Sequence, residues 1–77
     1  MIITTLDKLK ISQSAVVVDI KSDINLKTRL MILGLTNGTT IILNRIAPFG
    51  DPLDIIVRHY HLLIRKEEAK KIIIKIG

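Results

Sequence analysis

TTIILNRIAPFGDPLDIIVRHYHLLIR, residues 39 to 65, strings together three short aliphatic runs, each interrupted by residues that cannot continue a strand. The first, TTIILNRIA (39–47), is β-branched and stops at Pro48, whose ring leaves no N–H for a ladder. The second and third, LDIIVR (53–58) and YHLLIR (60–65), are separated by His59 alone, a spacing that predicts a tight hairpin. His59 stands at the turn, and histidine is among the residues that tolerate a left-handed backbone. Between the first two runs lies APFGDP (47–52): Gly50 permits a positive φ, and Pro52 pushes Asp51 into an extended conformation. The expected product is a stiff loop at a hairpin tip. Outward from this stretch, AVVVDIK (15–21) and KIIIKI (71–76) have the same character. Five short strands in so small a chain predict a mainly β fold, a small barrel.

One segment changes period. In SDINLKTRLMILGLTNGT (22–39), Leu26, Leu30 and Leu33 recur at four and three residues and share a helical face. Ser22 or Asp23 is placed to cap the helix start. Gly34 can end it as the left-handed residue of a Schellman motif, which would bring Leu35 against Leu30. Thr36–Thr39 then turns into the next strand, with Gly38 available for a positive φ. The N-terminal TTLDKLKI (4–11) carries Leu6 and Leu9, with Ile3 just before it, at helical spacing and predicts one turn over a barrel end; RKEEAKK (65–71) predicts a short polar turn, of 3₁₀ type. Ile24 and Met31, seven apart, fall roughly opposite the leucine seam. The expectation is that the N-terminal leucines cover this stripe; the alternative is an open docking patch of Ile24 and Met31 beside Lys27 and Arg29.

Composition bounds the function. The chain has 77 residues, 48% hydrophobic and 25% charged, which is the make-up of one folded domain. Folding buries roughly 60% of the unfolded surface at this size. Without cysteine there is no disulfide and no thiol chemistry, which fits a reducing, cytoplasmic setting. No stretch reaches the ~20 apolar residues of a membrane span, and the start has no basic segment leading into a sustained apolar run. The net charge of +5 suits an anionic partner, but four of the twelve basic residues (Lys66, Lys70, Lys71, Lys75) flank the last strand, where they serve solubility.

Candidate chemistry is sparse. The serines Ser12, Ser14 and Ser22 and the two histidines form no nucleophile–base order that short loops could assemble, so the expectation is no enzyme and no cofactor. His59 and His61 have the spacing of a two-point metal site on a strand, yet no third ligand is placed near them, and they read as surface histidines. Nucleic-acid barrels and proline-peptide grooves need several aromatics, and only Phe49 and Tyr60 are present. Phe49 stands out, bracketed by Pro48 and Pro52. Either it is displayed on the stiff loop as a partner anchor, or it folds back to plug a barrel end; the proline bracket favours display.

RLMILGLTNGTTIILNRIAPFGDPLDIIVRHYHLLIRKEEAKKI (29–72) resembles the ferrous iron transport protein A (FeoA) family. The resemblance rests on the helix exit Leu33-Gly34-Leu35 with Gly38-Thr39, the loop Ala47 to Pro52 and the ending Ile64 to Ala69, in that order. Asn37 stands where a Pro is common in the family, and His59 where a Gly is. The resemblance implies one SH3-like domain over residues 1–77 that acts as a cytoplasmic, non-enzymatic adaptor of ferrous iron uptake. It also implies a partner, the membrane GTPase FeoB, through which any membrane contact would occur. The docking residues expected are Pro48, Phe49, Gly50, Asp51 and Pro52 in the loop, and Ile24, Lys27, Arg29 and Met31 on the helix. A related module closes the diphtheria-toxin-repressor type of metal-dependent regulators, and a metal-responsive role or a basic barrel for nucleic acid is the alternative. Such a regulator needs a DNA reader ahead of the barrel, and with about a dozen residues before the first strand the expectation is that this chain is not a repressor on its own.

Overall fold

The computed structural model describes residues 1–77. Six strands form one antiparallel sheet: β1 (Ile2–Thr5), β2 (Ser14–Ile20), β3 (Thr40–Ile46), β4 (Leu53–Val57), β5 (Tyr60–Ile64) and β6 (Ile72–Ile76). Their order is β1-β6-β2-β3-β4-β5. A nine-residue helix, α1 (Ile24–Ile32), joins β2 to β3, and a single turn, α2 (Lys66–Ala69), joins β5 to β6. The five strands expected are all present, within one or two residues at their ends. The sixth corrects the reading of the N-terminus: only Leu6–Lys8 forms a 3₁₀ turn, while Ile2–Thr5 is extended. The cause is non-local. β6 has a free side, and Ile2 to Thr5 pair with Ile76 to Ile73 across it, a ladder that a helical start would forgo.

Alternation builds the core. Leu53, Ile55 and Val57 of β4, Ile41 and Leu43 of β3, and Ile72 and Ile74 of β6 all point inward and are buried. β2 keeps the rule through Ala15 and Val17, then shifts register between Val17 and Asp19, so that Ile20 also turns inward. A similar shift between Leu43 and Arg45 bends β3 before the loop.

The ladder does not close, since β1 and β5 end it. α1 is tied to the sheet and to α2 at three points. Lys27 reaches Asp19 of β2 at 3.7 Å, the Tyr60 hydroxyl of β5 donates to the Leu33 carbonyl, and Arg29 pairs with Glu68 of α2. Asp23, not Ser22, is the N-cap: its carboxylate accepts the Leu26 N–H at 2.9 Å. At the other end Gly34 has φ 106°, Leu35 N–H donates to Leu30 C=O and Gly34 N–H to Met31 C=O, which is the Schellman pattern expected. Leu30 and Leu35 are both buried.

The leucine seam is narrower than expected. Leu30 is buried and Leu26 packs at its margin, but Leu33 is the C-cap, the last residue before the Gly34 exit, and is 37% exposed. Leu6 and Leu9 do not cover the opposite stripe; both sit in the main core. α2 is one α-helical turn rather than 3₁₀, since Ala69 N–H donates to Arg65 C=O at 2.9 Å and Lys70 N–H to Lys66 C=O at 3.1 Å, four residues back, while Glu68 accepts the Arg65 N–H at 3.0 Å.

Candidate docking surface

The loop between β3 and β4 is held from three sides. Gly50, at φ 83°, donates its N–H to Ala47 C=O at 2.8 Å, and Ala47 N–H donates to Pro52 C=O at 3.1 Å. Asp51 Oδ1 accepts the Lys66 N–H at 3.0 Å, taking one of the donors that the start of α2 cannot use internally. Pro48 and Pro52 add fixed φ values. On this frame Phe49 is 98% exposed. It does not plug a barrel end; the aliphatic strands fill that space without it.

A second apolar surface is the outward side of α1. Ile24 is 71% and Ile32 79% exposed, with Met31 and Leu33 partly open beside them. Ile32 was overlooked in the sequence, although it lies eight residues from Ile24 and so shares its face. The two basic residues expected in this patch have structural employment: Lys27 with Asp19, and Arg29 with Glu68. What faces solvent here is therefore aliphatic, with its nearby charges already partnered. α2 connects the two surfaces, because its first N–H holds Asp51 and its Glu68 holds Arg29.

The histidines separate. His61 Nδ1 lies 3.0 Å from Asp54 Oδ1, and Asn44 Nδ2 donates to the other carboxylate oxygen at 3.1 Å. The His61 contact is the main reason the Asp54 carboxyl lies below the usual carboxylate range; desolvation opposes it, and the Asn44 hydrogen bond adds a lesser lowering. His59 stays in the hairpin turn, and no group of three or more His, Cys, Asp or Glu residues comes together. The left-handed residue of that turn is Arg58 (φ 56°), not His59, because Val57 pairs with Tyr60 and leaves Arg58 first in a two-residue connection.

Compared with known proteins, residues 4–76 match the model of the FeoA domain. The chain belongs to the FeoA family. A FeoA protein from Chlorobium tepidum is 33% identical, with 95% of this chain and 70% of that one covered and a TM-score of 0.90. FeoA from Stenotrophomonas maltophilia is 29% identical over 94% of this chain and 89% of its own, at a TM-score of 0.82. That protein is described as a procaryotic SH3 domain protein, complexed with zinc, possibly acting as a ferrous iron transport activating factor. The fold also recurs in IdeR of T. acidophilum, 17% identical, where all of this chain overlays 35% of that chain at a TM-score of 0.87. No curated protein matches. The expected SH3-like, mainly β fold is thus the fold of the FeoA family. No helix is long and apolar enough to cross a membrane.

Proposed function

We propose that this FeoA-family chain is a non-enzymatic adaptor of ferrous iron uptake that docks on the cytosolic part of the membrane GTPase FeoB. The observation that carries the reading is Phe49, 98% exposed on a loop fastened by backbone bonds and by Asp51. A buried aromatic would contribute to stability; an exposed one on a rigid frame lowers the entropy lost on docking. The aliphatic side of α1, reached through α2, supplies a second contact. Membership of a family whose members are described as iron(II) transport and iron uptake regulatory proteins supports the transport role. The partner follows from the family resemblance. In this reading the chain works at the inner membrane face, held there by its partner.

Phe49→Ala tests it. Core truncation of a Phe costs about 3–5 kcal/mol, whereas an exposed site changes stability by about 0.5 kcal/mol or less. The melting temperature should therefore hold within about 4 °C. Affinity for the FeoB cytosolic region, measured by calorimetry, should fall about 30-fold, as for an interface anchor worth about 2 kcal/mol. Unchanged affinity in a fully folded variant would exclude the loop as the anchor.

A further inference from the structure

The largest concavity, about 540 Å³, lies between the Thr36–Thr40 turn and the tip of the β4–β5 hairpin, and α2 and the Phe49 loop contribute nothing to its lining. None of its polar groups is an anion. Arg58, Asn37 and the hydroxyls of Thr36, Thr39 and Thr40 line it, and no carboxylate does. The Thr36 and Thr39 hydroxyls are 2.9 Å apart, so one donates to the other and the second proton stays free for a ligand. Gly38, at φ 92°, has nothing within 4 Å of the place a Cβ would occupy, which keeps the site open.

Arg58 gives the concavity its sign. Lys8, Lys21, Lys27 and Arg29 are paired with carboxylates; Arg58, like most of the other basic residues, is not, and it is the basic residue that lines this concavity. It also occupies, at φ 56°, the hairpin position that Gly, Asn or Asp would take with less strain. An unpaired guanidinium thus lines a concavity whose other polar groups are neutral, on a backbone that a residue with a Cβ adopts at a cost.

We propose that this concavity binds an oxyanion of the phosphate class. The guanidinium fork presents two parallel N–H donors to two phosphate oxygens, and the Thr and Asn side chains can serve a third. A carboxylate, with two oxygens, would leave donors idle, so the tetrahedral anion fits better. The source is either free phosphate or a phosphate ester such as a lipid headgroup. The site is independent of the docking surface.

Nitrogen-15 NMR titration with inorganic phosphate, at ionic strength matched with chloride, reads the site directly. Saturable shifts are expected for the amides of residues 36–40 and 58. Arg58→Gly removes the fork while suiting the left-handed backbone, so the hairpin survives; it should weaken phosphate binding about tenfold or more, as loss of a charged hydrogen-bond donor does. Arg45→Ala, remote from the concavity, should leave the titration unchanged. A parallel arm with phosphatidate vesicles separates the sources: shifts with phosphate alone identify a free anion, and broadening of the same amides with vesicles identifies a headgroup. Equal shifts with chloride, or full binding by Arg58→Gly, would overturn the proposal.

Discussion

Replacing Gly34 by Ala tests how α1 is joined to the sheet. Gly34 sits at φ 106°, and a Cβ built there would overlap the Tyr60 hydroxyl and lie 3.6 Å from Val57 Cγ1. Two costs follow. The left-handed backbone costs a residue with a Cβ about 1–2 kcal/mol. Displacing Tyr60 also breaks its hydrogen bond to the Leu33 carbonyl, worth about 0.5–1.5 kcal/mol. Together these come to about 1.5–3.5 kcal/mol, out of the roughly 4–12 kcal/mol that 77 residues at ordinary stability per residue would hold. At this size the melting temperature should drop by about 10–20 °C. The assay is a double-mutant cycle in urea with Tyr60→Phe, which removes the hydroxyl and leaves the ring. In the Phe background the Gly34→Ala penalty should shrink by about 1 kcal/mol, to the backbone cost alone. An identical penalty in both backgrounds would refute the contact between the helix exit and β5.

Two other outcomes can be measured on the same material. Asp54 has its carboxyl lowered chiefly by His61, so its contribution to stability is present above the ordinary carboxylate pKa and fades as pH falls through the lower folded value; Asp54→Asn should flatten the acid limb of a stability-versus-pH curve below about pH 4 and change little in its shape at higher pH. Calorimetric titration with zinc or ferrous iron should reveal no submicromolar site, since no three ligating side chains are assembled; a tight site lost in His61→Ala would contradict this.

The loop between β3 and β4 was legible in part. Pro48, Gly50 and Pro52 announce stiffness from their own covalent geometry, but the brace that orients the loop is Asp51 on the Lys66 N–H, fifteen residues away, and nothing local points to it. The helix patch was legible as a stripe through the spacing of Ile24 and Met31. Its openness was not, because Leu6 and Leu9 were equally fit to cover it until their burial in the core settled the matter.

Local chemistry was enough wherever the decisive interaction spans a few residues. The strands of residues 39–65, the N-cap near Asp23 and the Schellman exit at Gly34 with Leu30 under Leu35 all follow from period, branching and backbone freedom. Tertiary structure decided what depends on partners far along the chain. Ile2–Thr5 became a strand because the edge of β6 lay open to it, some seventy residues on. Lys27 and Arg29 became struts because Asp19 and Glu68 came within reach. Arg58 took the left-handed place that His59 was expected to hold because the β4–β5 register pairs Val57 with Tyr60. A one-residue shift in register costs little in local propensity yet reverses which side chain faces where, so only the assembled sheet can choose it.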